Sequence, residues 1–467
     1  MKQAPFFVEK LHFIGIGGIG MSGIADIMHH MGYTVQGSDQ SDNTNVQRLR
    51  RMGIKIFVGH QASNIDGVDA VVISSAVPSS NLEVVEARQK GIPVVKRAEM
   101  LAELMKLKWS ISIAGSHGKT TTTSIMATIL KQAQLDPTVI NGGIINALGA
   151  NASLGKGDMM VVEADESDGS FQYLPSTMCV VTNIDPEHME YYGNLDGLKQ
   201  GFSNYISRIP FYGLAVLFGD DENIQDILPK LTDKPIVLYG FGQDNDAVIS
   251  DVVEKKEGST WTLTLRKEGK VISNLFIPMT GKHNVLNATA ATCIALRMDL
   301  PLDCIMQALK DFAGVKRRFT VTGDINSILF VDDYAHHPTE IAAVLKAARV
   351  RQSGRVFAVV QPHRYTRLRD HFNEFVKSLT LSDEVFVTPL YSAGEAPIDG
   401  FNQTSLVTAL QAAETKTMAV ESIEHTFNVL LPNLLPNDIV IFMGAGDITQ
   451  WAYKFPELYK EAVSETN

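Results

Sequence analysis

ISIAGSHGKTTTTS, residues 111–124, joins a strand to a helix through a glycine turn. Ile111-Ser112-Ile113 is a short β-branched run suited to a buried strand. Gly115-Ser116-His117-Gly118-Lys119-Thr120 is a tight turn, and residues 121–130 continue as a helix. These elements together can hold a nucleotide triphosphate. Glycines let backbone N–H groups converge on phosphate oxygens, and the helix N-terminus adds positive potential. Lys119 is placed to reach the β- and γ-phosphates, and the Thr120 hydroxyl to ligate Mg²⁺. The general pattern has a glycine where this chain has Ile113, so the loop is the shorter G-x-x-G-K-T. The competing reading is a structural glycine turn. Four consecutive threonines open the helix against their propensity, a local conflict of the kind found at functional sites.

Upstream, residues 11–14 predict a strand, Gly15-Ile16-Gly17-Gly18-Ile19-Gly20 fits G-x-G-x-x-G, and residues 21–31 an apolar helix. A second strand from Val35 ends at Ser38-Asp39. Asp39 stands about 20 residues past the glycines, where a βαβ unit puts a carboxylate on a ribose. The competing reading is a turn that only packs helix on strand. Strands at 54–58, 70–73 and 92–95 continue the α/β pattern. Loops after parallel strands line the ligand crevice, so Ser74, Ser75 and Arg97 are candidates to face a diphosphate, against ordinary loop roles. No second half of an NAD-binding fold precedes the P-loop, which counts against a dehydrogenase. A nucleotide-linked substrate on one small Rossmann-like domain fits better.

Downstream, the strand at 159–162 ends in Glu163-Ala164-Asp165-Glu166-Ser167-Asp168. These acids repel unless solvated or holding a cation, and Mg²⁺ takes carboxylate oxygens together with phosphates. The strand at 179–183 ends in Ile184-Asp185-Pro186-Glu187-His188, which makes His188 either a loop residue or a second metal ligand. Asn284 and Asn287 share a helix face, as caps or as nucleotide contacts. Residues 250–277 alternate like a small antiparallel sheet. In the last third, strands at 328–331, 356–360, 384–387 and 439–442 each lead into a polar loop. The arginines of Gln361-Pro362-His363-Arg364-Tyr365-Thr366-Arg367 oppose a helix dipole unless something anionic lies near, and guanidinium pairs bidentately with carboxylate or phosphate.

The reading is α/β in three domains: residues 1–105, Rossmann-like and holding a nucleotide-linked substrate; 106–315, a P-loop ATP-binding domain with a parallel sheet and a small antiparallel one; and 316–467, Rossmann-like, with an arginine cluster suited to an anionic substrate. The 467 residues suit roughly three domains at about 150 residues each. A net charge of −11, from 41 Lys and Arg against 52 Asp and Glu, argues against a nucleic-acid partner. Cys179, Cys293 and Cys304 are distant and odd in number, so a disulfide framework is not expected and the compartment is a reducing one, the cytoplasm. No apolar run approaches the roughly 20 residues of a membrane span.

Gly15 to Gly20 with Asp39, GSHGKTTTT, EADESD, TNIDPEHME, GKHNVLNA, GVKRRF, DDYAHHPTE and QPHRYTRLRD, in that order, resemble the Mur ligases along the whole chain. The acidic and His-rich motifs are far more specific than the glycine loops, and the shortened P-loop is this family's own form. The resemblance implies ATP-dependent joining of an amino acid or peptide to a UDP-linked sugar acid in peptidoglycan synthesis. Here the motifs imply L-alanine and UDP-N-acetylmuramate, and the alternative is recycling of cell-wall tripeptide onto the same sugar nucleotide. It implies that Gly115, Ser116, His117, Gly118, Lys119, Thr120 and Thr121 hold the ATP phosphates. Thr120 and Glu163 bind one Mg²⁺ and His188 a second. Asn284, Asn287 and Arg318 contact nucleotide or γ-phosphate, and Asp333 the nucleotide ribose, with Arg317 and Asp332 as adjacent alternatives. Tyr334, His336, Arg364 and Arg367 take the amino-acid carboxylate and the sugar-acid end. Gly15, Gly17, Gly18, Gly20, Asp39, Ser74, Ser75 and Arg97 form the UDP-sugar site. His336 is a candidate base for the amine, and the assembly is monomer or homodimer.

Overall fold

The computed structural model describes residues 8–74, 76–147 and 149–466. Three sheets organise the chain, in two compact units. One unit runs to Asp251 and includes Trp261–Phe276 and Val285–Ala313; the other holds Val252–Thr260, Ile277–Asn284 and the chain from Gly314 on.

The first sheet is five-stranded and parallel, in the order Lys55–Val58, Thr34–Asp39, Lys10–Ile14, Ala70–Ile73, Val94–Lys96. Leu11, Phe13 and Ile14 are fully buried in its middle strand. Its central position puts the glycine turn after Ile14 beside the ends of both neighbouring strands, the place where an open α/β sheet binds ligand.

The second sheet has ten strands. Seven of them are parallel, in the order Ala247–Lys255, Ile236–Gly240, Leu214–Phe218, Met178–Val181, Trp109–Ala114, Met159–Glu163, Thr138–Ile145, and Ala150–Ser153 closes one edge antiparallel. The alternating stretch at 250–277 forms no separate sheet. Ala247–Lys255, Gly258–Leu265 and Lys270–Ile277 continue the same sheet at its other edge. The helix after the P-loop begins at Lys119 and runs to Gln132. Its β-branched, hydroxyl-rich start is tolerated because hydroxyls bond back one turn: Thr122 Oγ1 to Gly118 O at 2.9 Å, Ser124 Oγ to Thr120 O at 2.7 Å and Thr128 Oγ1 to Ser124 O at 2.8 Å. Thr120 to Ser124 are buried rather than solvated, so packing overrides propensity.

The third sheet runs Thr320–Ile325, Ile328–Asp333, Ile439–Met443, Val356–Val360, Glu384–Val387, Thr417–Ala419. Only the first pair is antiparallel. The loops after the four parallel central strands therefore leave from one edge. No described helix is long and apolar enough to cross a membrane.

Candidate active site

The P-loop's shape depends on glycine at two positions. Gly115 has φ +129°, and a Cβ there would stand 2.1 Å from Thr182 Oγ1. Gly118 has φ +85°, and a Cβ would stand 2.5 Å from Asn287 Oδ1. The end of the neighbouring strand braces the loop. His117 N donates to Asn183 Oδ1 at 2.9 Å, Thr182 Oγ1 donates to His117 O at 2.5 Å, and His117 Nε2 lies 2.9 Å from Asp185 Oδ2. Gly115→Ala combines steric overlap with a left-handed backbone. It is expected to weaken ATP binding about 100-fold or more and to cost about 1–3 kcal/mol of stability. Calorimetric ATP titration and thermal unfolding measure the two, and an unchanged ATP affinity would contradict the loop assignment.

Lys119 Nζ donates to Gly115 O at 2.6 Å, Ser116 O at 3.1 Å and Glu166 Oε1 at 2.9 Å. Burial opposes its charge, but the carboxylates of Glu166, Asp165 and Glu163 outweigh that and hold the ammonium protonated. Glu166 is fully buried. Burial pushes its carboxyl up to about 7 against the pull of Lys119. Glu166, Glu187 and His188 place ligand atoms within 4.8 Å of one another. His188 takes φ +58°, strain for a residue that is not glycine, and burial lowers its pKa, favouring the neutral imidazole that metals bind. Two carboxylates and an imidazole beside a phosphate loop are a donor set that fits a hard divalent cation. Of the three expected metal ligands, His188 belongs to this group. Thr120 opens the helix, buried, and Glu163 lies outside the group, its Oε2 accepting from Gly142 N at 2.7 Å. Glu166 and Glu187 were not singled out by sequence, because nothing in a run of acids says which one points inward. Asn287 lies against Gly118, while Asn284 Nδ2 donates to Thr280 O at 2.8 Å. Ser116 Oγ donates to Asp185 O at 3.1 Å, and Thr121 is buried in the helix's first turn.

At the first sheet, Gly15 has φ +75° and its Cβ position is 3.6 Å from Ser74 Oγ. Gly17 abuts Asn43 and Val46, Gly18 lies against Gly15 O, and a Cβ at Gly20 would stand 3.2 Å from Arg97 Nη1. Arg97 Nη2 is 3.9 Å from Asp165 Oδ2, so the glycine loop, Ser74 and Arg97 converge. Asp39 is engaged by the loop itself, its Oδ2 accepting from Gly17 N at 2.8 Å. Ser75 lies outside the described residues.

The third sheet gathers a cationic, aromatic cluster at its loop edge. Arg317 and Arg318 stack over the Tyr334 ring at 4.8 and 5.2 Å. Arg317 Nη2 donates to Gly444 O at 2.5 Å and Gly446 O at 3.2 Å, whereas Arg318 Nη1 lies 3.6 Å from Glu340 Oε1. Asp332 Oδ2 accepts from Thr449 Oγ1 at 2.7 Å. His336 Nδ1 faces Tyr334 O at 2.9 Å and Glu340 Oε2 at 3.3 Å, two acceptors that place a proton on Nδ1. The His336 ring meets His363 at 5.7 Å, His363 stacks on Tyr391 at 5.5 Å, and Arg367 Nη1 is 3.2 Å from His363 Nδ1. Arg364 has φ +67° and its Nε is 3.9 Å from Glu395 Oε1. Burial, then the charges of His336, Arg367, Arg364 and Arg317, drive His363 down to about 3, so it stays neutral. His363 and Tyr391 were missed as site residues; their positions in loops after parallel strands were the available signal.

Asp333 accepts from Phe319 N and Ala335 N, each at 2.7 Å, yet burial raises it to about 6 against the pull of Arg318. Its folded-state pKa lies above the unfolded one, so the native state keeps a proton that the unfolded chain releases. Stability from this group therefore falls as pH rises from about 4 to about 6. Relative to Asp333→Asn, the wild type is expected to lose about 2–3 kcal/mol across that window in denaturant titrations. A pH-independent difference would contradict the assignment.

A P-loop beside buried acids, a second glycine loop and a cationic, aromatic cluster are the polar features the three sheets carry. Family models match in three consecutive stretches: "Mur ligase family, catalytic domain" over residues 10–109, "Mur ligase middle domain" over 113–295 and "Mur ligase, glutamate ligase domain" over 317–446. The chain belongs to the Mur ligase family. Among its relatives, the UDP-N-acetylmuramate–L-alanine ligases of Methylorubrum populi and Brucella anthropi are each 50% identical to it, over 97% of this chain and 98% of theirs. The crystal structure of the UDP-N-acetylmuramate–alanine ligase of Thermotoga maritima superposes with a TM-score of 0.83 at 31% identity, covering 97% of this chain and 99% of that one. A murein peptide ligase from Psychrobacter arcticus shares the fold, with a TM-score of 0.70 at 23% identity over 96% of this chain and 98% of that one.

Proposed function

We propose that the protein joins L-alanine to the carboxylate of UDP-N-acetylmuramate with conversion of ATP to ADP and phosphate, in peptidoglycan precursor synthesis. The observation that carries this reading is the P-loop with Lys119 held against buried Glu166, in a chain half identical to ligases of that name over nearly its full length. Tripeptide recycling is not favoured: the murein peptide ligase shares only the fold at 23% identity.

A carboxylate does not react with an amine at neutral pH. Phosphorylation by ATP turns the sugar-acid carboxylate into an acyl phosphate, with ADP released. The alanine amine then attacks the acyl carbon, and phosphate leaves with the C–O electron pair. Gly115 to Thr121 bind the triphosphate, and Lys119 neutralises charge on the transferring phosphoryl group. Glu166, Glu187 and His188, with Thr120 and Glu163 near the phosphates, are the residues that would hold Mg²⁺, which supplies charge neutralisation when bound. Asn284, Asn287, Arg318 and Asp333 serve the nucleotide. The glycine loop, Asp39, Ser74, Ser75 and Arg97 hold the UDP-sugar. Tyr334, His336, Arg364 and Arg367 orient the alanine carboxylate and the sugar-acid end, and His336 is the candidate acceptor for the amine proton. Residues 1–105, 106–315 and 316–467 divide these tasks. The cytoplasm, where ATP and a reducing environment coexist, is the compartment this reading assigns.

The acyl-phosphate route has a direct isotopic test. With ¹⁸O in the sugar-acid carboxylate, one ¹⁸O is expected in the released phosphate, read by mass spectrometry. Phosphate without the label would contradict the route.

A further inference from the structure

Beneath the glycine loop of the first sheet lies a buried carboxylate that none of the chemistry above uses. Glu83 sits in the first turn of the helix Leu82–Gln89, fully buried. Its Oε2 accepts from Ser38 Oγ at 2.6 Å and lies 3.1 Å from His60 Nδ1 and 3.6 Å from His12 Nε2; its Oε1 accepts from Asn64 Nδ2 at 2.6 Å. Burial opposes the charge, but nearby His12 and the hydrogen bonds from Ser38 and Asn64 outweigh it and bring the carboxyl down to about 2, so the group is an anion at neutral pH. A helix N-terminus favours it as well. Such a buried ionised group adds little stability over a well-packed apolar side chain. What it adds is orientation.

Two of its partners shape the nucleotide site. Ser38 is the next-to-last residue of the strand Thr34–Asp39, and its carbonyl accepts from Gly15 N at 2.8 Å and Ile16 N at 3.1 Å. With Asp39 accepting from Gly17 N and Gly15 O from Gly18 N at 3.1 Å, the first four loop amides are fixed internally. The amides of the helix that starts at Ile19 are left to face an anion. His60, in the loop after the strand Lys55–Val58, has its Nδ1 against the carboxylate and 3.0 Å from Ser38 Oγ. That assigns the proton to Nδ1 and leaves Nε2 as an acceptor. Gln36 Nε2 meets His12 Nδ1 at 3.2 Å and donates to Asn64 O at 2.6 Å, completing the set.

We infer that Glu83 is a positioning residue for the nucleotide half of the UDP-sugar: without touching ligand, it locks Ser38 under the glycine loop and His60 in one tautomer at the adjacent strand end. The inference rests on the UDP-sugar reading above. Glu83→Gln keeps the size but turns an acceptor into a donor facing Ser38, Asn64 and His60. In the full chain, Glu83→Gln is expected to raise both the KM for UDP-N-acetylmuramate and the Kd for UDP about 10-fold or more, with kcat at saturation and the KM for ATP within about twofold. Glu83→Asp should recover part of the loss, which a purely structural defect would not do selectively. Ser38→Ala, which keeps the anion but cuts its link to the loop, should move the same two constants in the same direction by about fivefold. If Glu83→Gln fails to fold, Ser38→Ala decides. Equal loss for all substrates, or UDP binding at wild-type strength in both variants, overturns the inference alone. A wild type that binds no UDP contradicts the function reading and this inference with it.

Discussion

Lys119→Ala is expected to lower turnover about 10³-fold or more, the scale seen when a group that neutralises a transferring phosphoryl is removed. It should also destabilise the protein. Glu166 is fully buried with Lys119 2.9 Å away, and burial already pushes its carboxyl up to about 7, so truncating the lysine raises it further, and the loss of stability grows with pH to about 3–5 kcal/mol where the carboxylate is left ionised and unpaired. The two effects separate in the double variant. Lys119→Ala with Glu166→Gln removes the ionisable group and should regain most of that stability at alkaline pH, while activity stays lost. Denaturant titration and steady-state kinetics on both variants measure this. A double variant as unstable as the single one would contradict the ion-pair account, and a single variant with near-normal turnover would contradict the P-loop account.

Arg367→Ala is expected to raise the KM for L-alanine about 10- to 100-fold, the range for losing a charge-assisted hydrogen bond to a carboxylate. The KM for ATP should hold. The residue stands at the centre of the cluster, with its Nη1 3.2 Å from His363 Nδ1, and His363 in turn stacks on Tyr391. The geometry therefore predicts a smaller effect in the same direction for His363→Asn. Arg367→Lys should recover little, since an ammonium does not reproduce the planar fork. Unchanged alanine dependence in Arg367→Ala would move the amino-acid site elsewhere.

The backbone plan was legible because strands and glycine turns announce themselves locally. The run at 111–113 and the glycines at 15–20 mark their turns without help from the rest of the chain. The Gly115 and Gly118 conformations follow from the motif, and the structure adds why no other residue fits: Thr182 and Asn287 occupy the Cβ space. What local pattern could not convey was which polar residue turns inward. Glu163 and Glu166 are alike in sequence, yet Glu166 is buried against Lys119 and Glu163 reaches Gly142. His363 and Tyr391 come together only once two separate strands lie side by side. Glu83 stands out in no local pattern, because its partners, Ser38, His60 and Asn64, come from three other segments. The stretch at 250–277 alternates as a sheet should, but alternation is silent about which sheet a strand joins.

The most direct test of the central claim is phosphate release from ATP with Mg²⁺ and UDP-N-acetylmuramate, with and without L-alanine, and with tripeptide in parallel. Release that depends on L-alanine, with a product heavier than the sugar nucleotide by one alanyl residue, is the predicted result. Release that responds to tripeptide and not to L-alanine would contradict the assignment.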